Sequence, residues 1–309
     1  MSVVIATRNR AERLGQLLAA LRDQELDDGE FEVIVVDDGS TDRTSEVLRA
    51  AAADGLRLRC LKHEPGGPAR ARNAGWRLAS GPLIAFTDDD CVPGQGWLRA
   101  LLDAAERRPG AAIQGRTEIL PGEASTIGPF SRILEVTEPS PFYATCNIAY
   151  PRSLLARLGG FDEGYSFRGE DTDLGWRAVE QGARVEFESR ALVYHAVVQL
   201  GPVGKLGWLL RWSDAMEVFA RHAELRKVLT WGVFWKRSHG LLLLATLGAL
   251  VATRFRPAAL LVLPYLRVLR ARCIVDGYSP AYIPYLALCD TVETFAAARG
   301  AVRHRVPVL

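Results

Sequence analysis

Four short apolar runs, each closed by polar or acidic residues and separated from the next by a helical pattern, constrain this chain more than any other feature. "SVVIAT" starts at Ser2, "FEVIVVDDGS" ends in Asp37 and Asp38, a third run spans Leu56 to Leu61, and "PLIAFTDDD" ends in Asp88, Asp89 and Asp90. The first run is continuously apolar and β-branched, as expected of a strand buried on both faces. "RAERLGQLLAALRDQ" places Leu14, Leu17, Leu18 and Leu21 at helical spacing. "TDRTSEVLRAAA" opens a second helix, and "PARARNAGWRLAS" reads as a third, closed by Gly81. Strands alternating with helices imply right-handed βαβ units and a largely parallel sheet. After Asp90 the pattern loosens. "GWLRALLDAAERR" is a helix, "AAIQGRTEIL" a strand, and a Pro/Gly/Ser-rich stretch runs to about Pro141. Two more helices follow, in "CNIAYPRSLLARLGGFDE" and "RGEDTDLGWRAVEQG", before the alternating "ARVEFESRALVYH".

The acids at the strand ends carry the chemistry. Three adjacent carboxylates repel one another, so Asp88–Asp90 form either a solvated turn or a site neutralised by a cation. Ligands of open α/β sheets bind at the carboxyl ends of the strands. Adjacent parallel strands would bring Thr7, Arg8, Asp37, Asp38 and Asp88–Asp90 to one such edge. Hard oxygen ligands suit Mg²⁺ or Mn²⁺, which bridge a carboxylate and substrate phosphates. The chain has neither GxxxxGK[ST] nor GxGxxG, which leaves phosphate handling by metal as the better fit. The five cysteines are widely spaced and contain no CxxC pair, so they read as reduced thiols, not as zinc ligands.

"SVVIATRNR", "VIVVDDGSTD", "GGPARARNAG", "FTDDDC", "GGFDE", "GEDTDLGWR" and "VYH" occur in this order. Together they resemble the inverting glycosyltransferases of family 2 over roughly residues 1–200. The resemblance implies a GT-A fold: a Rossmann-like, mostly parallel sheet of the nucleotide-diphospho-sugar transferases. It implies transfer of a sugar from a UDP-, dTDP- or GDP-sugar, with inversion, to a glycan or glycolipid hydroxyl. A polyprenyl-phosphate sugar synthase, or a non-catalytic nucleotide-sugar-binding protein on the same fold, are the alternatives. By the same resemblance Thr7, Arg8, Asp37, Asp38, Arg72, Asn73, Asp88 and Asp89 line the nucleotide-sugar pocket. Asp90, Asp88 and the late His195 hold Mg²⁺ or Mn²⁺, and Glu170 with Asp171 form the catalytic pair, Asp171 as general base. A base separate from the metal cluster is what single displacement needs, since the base must stay free to take a proton. Asp173 instead reads as the partner of Arg177 at i,i+4. Trp76, Trp97 and Trp176 read as packing, while Cys146 and Asn147 are open between a structural and an acceptor-facing role.

The 309 residues are 49% hydrophobic and 24% charged, a globular composition with ample core. The net charge of +2 hides a split. Residues 1–200 hold 23 Lys/Arg and 30 Asp/Glu, a net −7, whereas residues 201–309 hold 15 and 6, a net +9. We therefore expect a GT-A domain over 1–200 and a mainly helical, apolar and basic region over 201–309. Gly240–Ala252 and Pro257–Leu266 are apolar but short. As a helix the first would be roughly 20 Å long, against about 30 Å of hydrocarbon. Arg254 and Arg256 separate the two, and Arg267, Arg270 and Arg272 follow. A shallow interfacial hairpin on anionic lipid competes with a helical domain packed through the same leucines. The expected partners are a nucleotide-sugar, a glycan or lipid-linked acceptor and a membrane surface, not nucleic acid. With "SVVIAT" beginning at Ser2 and no leader before it, the expected location is cytoplasmic, on the inner face of the cell membrane.

Overall fold

The computed structural model describes residues 1–26, 29–165 and 168–309. The chain forms two compact units, one of residues 1–126 and 133–197, the other of residues 127–132 and 198–309. In the first unit the elements run β1 (Ser2–Thr7), α1 (Ala11–Arg22), β2 (Glu32–Asp37), α2 (Thr44–Ala53), β3 (Leu58–Lys62), α3 (Pro68–Leu78), β4 (Leu83–Phe86), β5 (Cys91–Pro93), α4 (Trp97–Arg107) and β6 (Ala112–Ile119). The second unit contributes the two-residue β7 (Ser131–Arg132). The first resumes with β8 (Ile148–Pro151), α5 (Arg152–Leu158), α6 (Glu170–Glu180) and β9 (Val185–His195).

Eight strands make one sheet in the order β3-β2-β1-β4-β8-β6-β9-β5. The first four are mutually parallel. β8 runs antiparallel to both β4 and β6, and β5 antiparallel to β9. The sheet is buried on both faces because successive side chains of a strand point to opposite sides. Val3, Ile5, Val33 and Val35 pack with Leu14, Leu17 and Leu21 of α1 and Trp97 and Leu98 of α4. Val4, Ile34 and Val36 pack on the other face with Trp76 of α3 and Leu174 and Ala178 of α6. At the base of the sheet the buried Glu32 carboxylate accepts Ser2 Oγ at 2.7 Å and Ser80 N and Oγ at 2.7 and 2.6 Å. This holds the starts of β1 and β2 to the segment before β4, at the end away from the strand-end acids.

β6 and β9 pair in parallel, but the register slips between Gly115 and Arg116. Gly115 faces Glu188 and Arg116 faces Leu192, so Ser189, Arg190 and Ala191 form an excursion on β9. Gly115 has to be glycine, because a Cβ there would lie 2.3 Å from the Asn147 side chain.

In the second unit β7 pairs antiparallel with β10 (Val198–Gln199). Five helices follow: α7 (Gly201–Leu210), α8 (Trp212–Arg221), α9 (Arg237–Val251), α10 (Leu263–Val275) and α11 (Ile283–His304). Leu241, Ala245, Tyr265, Leu269, Cys273 and Leu286 form a core between α9, α10 and α11. The two apolar segments therefore become α9 and a short 3₁₀ turn at Arg256–Val262 leading into α10. Among the described residues, no helix is long and apolar enough to cross a membrane. Leu243, Leu247, Leu250, Phe255, Leu260, Leu263 and Leu266 are exposed.

Candidate active site

Parallel pairing of β1 with β2 sets Thr7 opposite Asp37, and β4 runs parallel to β1 on its other side, so their carboxyl ends share an edge. Thr7 Oγ1 donates to Asp89 Oδ2 at 2.8 Å, tying that edge to the acidic triplet. Beyond the triplet, β5 pairs with β9 so that Cys91 faces His195, and Ala196 N donates to Asp90 O. Two segments about a hundred residues apart thus place His195 Nε2 at 3.5 Å from Asp90 Oδ1.

His195 is buried, its Nδ1 bonds to Ala196 O at 2.8 Å, and its Nε2 has no hydrogen-bond partner. A carbonyl only accepts, so Nδ1 carries a proton and Nε2 is the ring nitrogen left to meet a ligand. An orphaned buried imidazole nitrogen beside a carboxylate oxygen is a fit for a divalent cation such as Mn²⁺. Cys91 also lies within 4.8 Å of these atoms. Burial pushes its thiol well above the ordinary cysteine range, so it remains protonated and is a poor ligand for a hard cation.

The other face of Asp90 meets a residue that sequence reasoning missed. Arg10 Nη1 reaches Asp89 Oδ1 at 3.0 Å and Asp90 Oδ2 at 2.5 Å. Burial pushes the Asp89 carboxyl up to about 6; Arg10 opposes that rise, while Asp90 adds to it. The turn that delivers Arg10 has Asn9 in the left-handed region at φ 53°, where Asn is among the tolerated residues. Asn9 Oδ1 accepts Thr41 N at 2.7 Å, and Asn9 N donates to Ser40 Oγ at 2.9 Å. "RNR" directly after a first strand was the available signal.

The second acidic cluster meets the first through Arg72. Its Nη2 donates to Asp88 Oδ1 and its Nη1 to Glu170 Oε1, both at 2.8 Å. Burial works against the Arg72 charge, but Asp88 and Glu170 outweigh it and its pKa rises. Asp171 follows Glu170 in the first turn of α6. Burial first, then the neighbouring Glu170, push its carboxyl up to about 7, with Arg72 opposing. Asp171 Oδ1 accepts Thr172 N at 2.8 Å.

α6 is held by the loop before β8, another contribution the sequence did not reveal. Thr172 Oγ1 donates to Phe142 O at 2.8 Å and Trp176 Nε1 to Pro141 O at 2.9 Å. A Cβ on Gly175 would meet Tyr143 Cδ2 at 2.1 Å, so the ring lies directly on the helix backbone. Asp173 pairs with Arg177 at 2.7 Å, as the i,i+4 spacing indicated.

Several expected pocket residues use their polar atoms to shape loops. Asp37 Oδ1 accepts Ser40 N. Asp38 accepts Gly66 N and Gly67 N at 2.7 and 3.0 Å, fixing the entry to α3. Asn73 bonds the backbone of Phe161 on both sides of its amide and donates to Glu163, anchoring the "GGFDE" loop. Asn147 accepts Trp97 Nε1 and donates to Arg116 O and Ala191 O, a structural role for a residue that was open between two readings. Arg8 is exposed at the same edge.

Residues 2–159 match the sequence profile of glycosyl transferase family 2, just over half of the chain. The chain belongs to glycosyl transferase family 2. Among curated members, the validoxylamine A glucosyltransferase of Streptomyces hygroscopicus subsp. jinggangensis is 33% identical over 219 residues, covering 59% of this chain and 52% of that protein. The pre-mycofactocin glycosyltransferase of Mycobacterium tuberculosis is 34% identical over 209 residues, covering 63% of this chain and 42% of that one. The chain thus spans about half the length of the curated relatives it matches. Among solved structures, a mannosyltransferase from Pyrobaculum calidifontis in complex with GDP-Man and Mn²⁺ superposes with a TM-score of 0.60 at 19% identity, covering 98% of this chain and 86% of that one. Staphylococcus aureus TarS 1-349 in complex with UDP-GlcNAc gives 0.55 at 18% identity, covering 99% and 92%. The fold is accordingly the family's GT-A arrangement, a mixed α/β sheet followed by a helical C-terminal region.

Proposed function

We propose that this protein is an inverting, metal-dependent glycosyltransferase that moves a sugar from a UDP-, dTDP- or GDP-sugar to a hydroxyl of a cell-envelope glycan or glycolipid, at the cytoplasmic face of a membrane. The observation that carries this reading is the Arg72 bridge, which links Asp88 of the strand-end triplet to Glu170, the neighbour of Asp171. Two acidic clusters about 80 residues apart are therefore joined by one guanidinium, one suited to a cation and one to a proton.

Asp171 is the general base. A carboxyl raised to about 7 accepts a proton near neutral pH while still ionising in a useful fraction of molecules. The acceptor hydroxyl gives its proton to the Asp171 carboxylate as its oxygen bonds to the anomeric carbon. On the opposite face the bond from that carbon to the diphosphate oxygen breaks, and the electron pair leaves with the diphosphate. A divalent cation at Asp90 and His195, with Asp88 alongside, supplies positive charge to that leaving group when bound. Glu170 and Arg72 hold Asp171 in place. Thr7, Arg8, Asp37, Asp38, Asn73 and Asp89 border the nucleotide side, with Arg8 free to lie against the base and the others setting the loops around it.

Membrane contact is supported by the second unit. Its exposed leucines on α9, the 3₁₀ turn and α10 lie among the exposed Arg254, Arg256, Arg267 and Arg270. Apolar insertion and anionic lipid would each favour that face.

The test is nucleotide release from a panel of UDP-, dTDP- and GDP-sugars with Mn²⁺ or Mg²⁺. At least one donor turns over, EDTA stops it, and either metal restores it. Asp171→Asn lowers turnover by at least about 100-fold, the loss expected of a general base, while nucleotide affinity stays near wild type. Turnover that survives Asp171→Asn, or affinity that falls in parallel with it, would overturn the assignment.

A further inference from the structure

Among the described residues of the first unit, Tyr143 is the one large side chain held in the left-handed region, at φ 48°. A bulky residue there is a genuine outlier, and such strain persists only where the surroundings impose it. They impose it from two sides. Gln114 of β6 bonds both backbone groups of Ser140, accepting N at 2.8 Å and donating to O at 3.1 Å. α6 holds the next two residues, through Trp176 at Pro141 O and Thr172 at Phe142 O.

The strained residue sets its ring over Gly175, four positions after Asp171. Residues i and i+4 share one face of a helix, about 5–6 Å apart. An aromatic ring is therefore placed within one helical turn of the proposed base. Tyr143 is half-buried, and its ring meets Trp176 edge-on, with centroids 6.3 Å apart and planes at 63°. The Trp176 indole is locked by its bond to Pro141 O. The Tyr143 hydroxyl has no hydrogen-bond partner among the described residues. Packing alone is a poor account of this corner. An asparagine at 143 and a larger residue at 175 would fill the space without a strained backbone or a glycine inside a helix. Two locally unfavourable choices serve one ring, and such violations gather at functional sites.

We infer that Tyr143 is an acceptor-binding residue and that the acceptor presents a pyranose ring to it. A saccharide ring lays a C–H face on an aromatic side chain, and the phenol supplies a polar tip beside it. The phenol O–H donates to one sugar hydroxyl, and the reacting hydroxyl is left to face Asp171. Open-chain polyols and polyprenyl phosphate offer no such face. The inference rests on the sugar-transfer reading and narrows its acceptor to a glycan or the sugar of a glycolipid. Its test reads glycoside binding, whereas that reading is tested by donor turnover, so either can fail without the other.

Saturation-transfer NMR on the full chain tests it, with the methyl glycosides of glucose, galactose, mannose and N-acetylglucosamine. Ribitol and glycerol are the open-chain controls. At least one glycoside binds saturably, with transfer strongest at the protons of one ring face, and neither polyol does. Tyr143→Asn, at a φ that asparagine tolerates, weakens that glycoside by at least about tenfold. Tyr143→Phe keeps the ring and its packing, so it decides the case should asparagine unsettle the fold. It weakens the glycoside by about three- to tenfold, the loss of one hydrogen bond. Gly175→Ala drives a Cβ into the ring and weakens the glycoside in step with Tyr143→Asn. A ring that merely clamps α6 predicts the reverse: a lower Tm in the asparagine and alanine variants, with glycoside affinity at the wild-type value in all three. That outcome, or no saturable glycoside binding to wild type, rules the assignment out. Equal binding of the polyols rules out the pyranose.

Discussion

Replacing Arg72 with Met keeps an unbranched apolar stem but removes the guanidinium that joins the two acidic clusters and lies 5.8 Å from the centre of the Phe161 ring. Arg72 and Glu170 side chains are each 9% exposed and Asp88 is 25% exposed. Removing one partner of a buried pair costs about 3–5 kcal/mol, and water reaching Asp88 puts this case near the lower end, about 3 kcal/mol. For a chain of this size that is a fall in Tm of roughly 6–10 °C. The Asp171 carboxyl, freed of the Arg72 charge, binds its proton more tightly, so the folded state holds more protons than wild type. The deficit is therefore larger at alkaline than at acid pH. Asp171 loses the opposing Arg72 charge and keeps only the Thr172 N–H to lower its pKa, and the loss of a close opposite charge raises it by about one to two units. Because Asp171 works as the carboxylate, the rising limb of the pH–rate profile moves to higher pH. Turnover at pH 7 falls by roughly five- to fiftyfold and recovers on raising the pH. Arg72→Lys restores the charge but reaches one carboxylate at a time, so it recovers most of the limb and less of the stability. Thermal unfolding and pH–rate profiles of the three proteins decide the matter. A methionine variant whose rising limb overlays wild type would refute the coupling.

Arg10→Gln, at a side chain 40% exposed, lowers metal-free stability by about 1 kcal/mol or less and makes added Mn²⁺ more stabilising than in wild type, as thermal shift with and without the metal would show. Glu32 is held down to about 2 against the effect of burial by Ser80, Ser2 and Arg59, so its contribution is present above the ordinary glutamate range and fades as pH falls towards 2. Glu32→Gln costs about 2 kcal/mol at neutral pH, with a smaller gap at pH 3 by urea titration. Arg254→Glu with Arg256→Glu weakens co-sedimentation with anionic vesicles, each contact being on the order of 1 kcal/mol, and leaves neutral-vesicle binding unchanged.

The parallel half of the sheet was legible because its strands are mostly apolar runs that end in polar residues and alternate with helical patterns, and Thr7, Asp37 and Asp88–Asp90 follow from that pattern. The antiparallel β8 and β5 were not. Four residues of "IAYP" and three of "CVP" carry too little periodicity to separate strand from loop, and tertiary pairing alone makes them strands. The acids of the candidate site were legible as residue types at strand and helix ends. Of their cations, Arg72 was named through the family resemblance but without its bridging part, and Arg10 was missed, because it sits in sequence among many arginines. What singles them out is the 2.8 Å bridge and the left-handed Asn9 turn, both properties of the folded chain. Asn147 shows the converse: a polar residue near the expected acceptor side whose amide is fully spent on Trp97 and two carbonyls.

The excursion at Ser189–Ala191 bears on how this sequence can change length. Beyond it, β9 must arrive with His195 turned toward Asp90, and a strand inverts its faces with every residue. Insertions or deletions of an even number of residues in the excursion preserve that orientation. Odd ones send the imidazole to the opposite face and turn the buried Val193, two residues before it, out of the core with it. Length variation among sequences sharing this arrangement is thus filtered by parity, since an odd-length variant would lose both its histidine from the acidic edge and a core valine without any substitution.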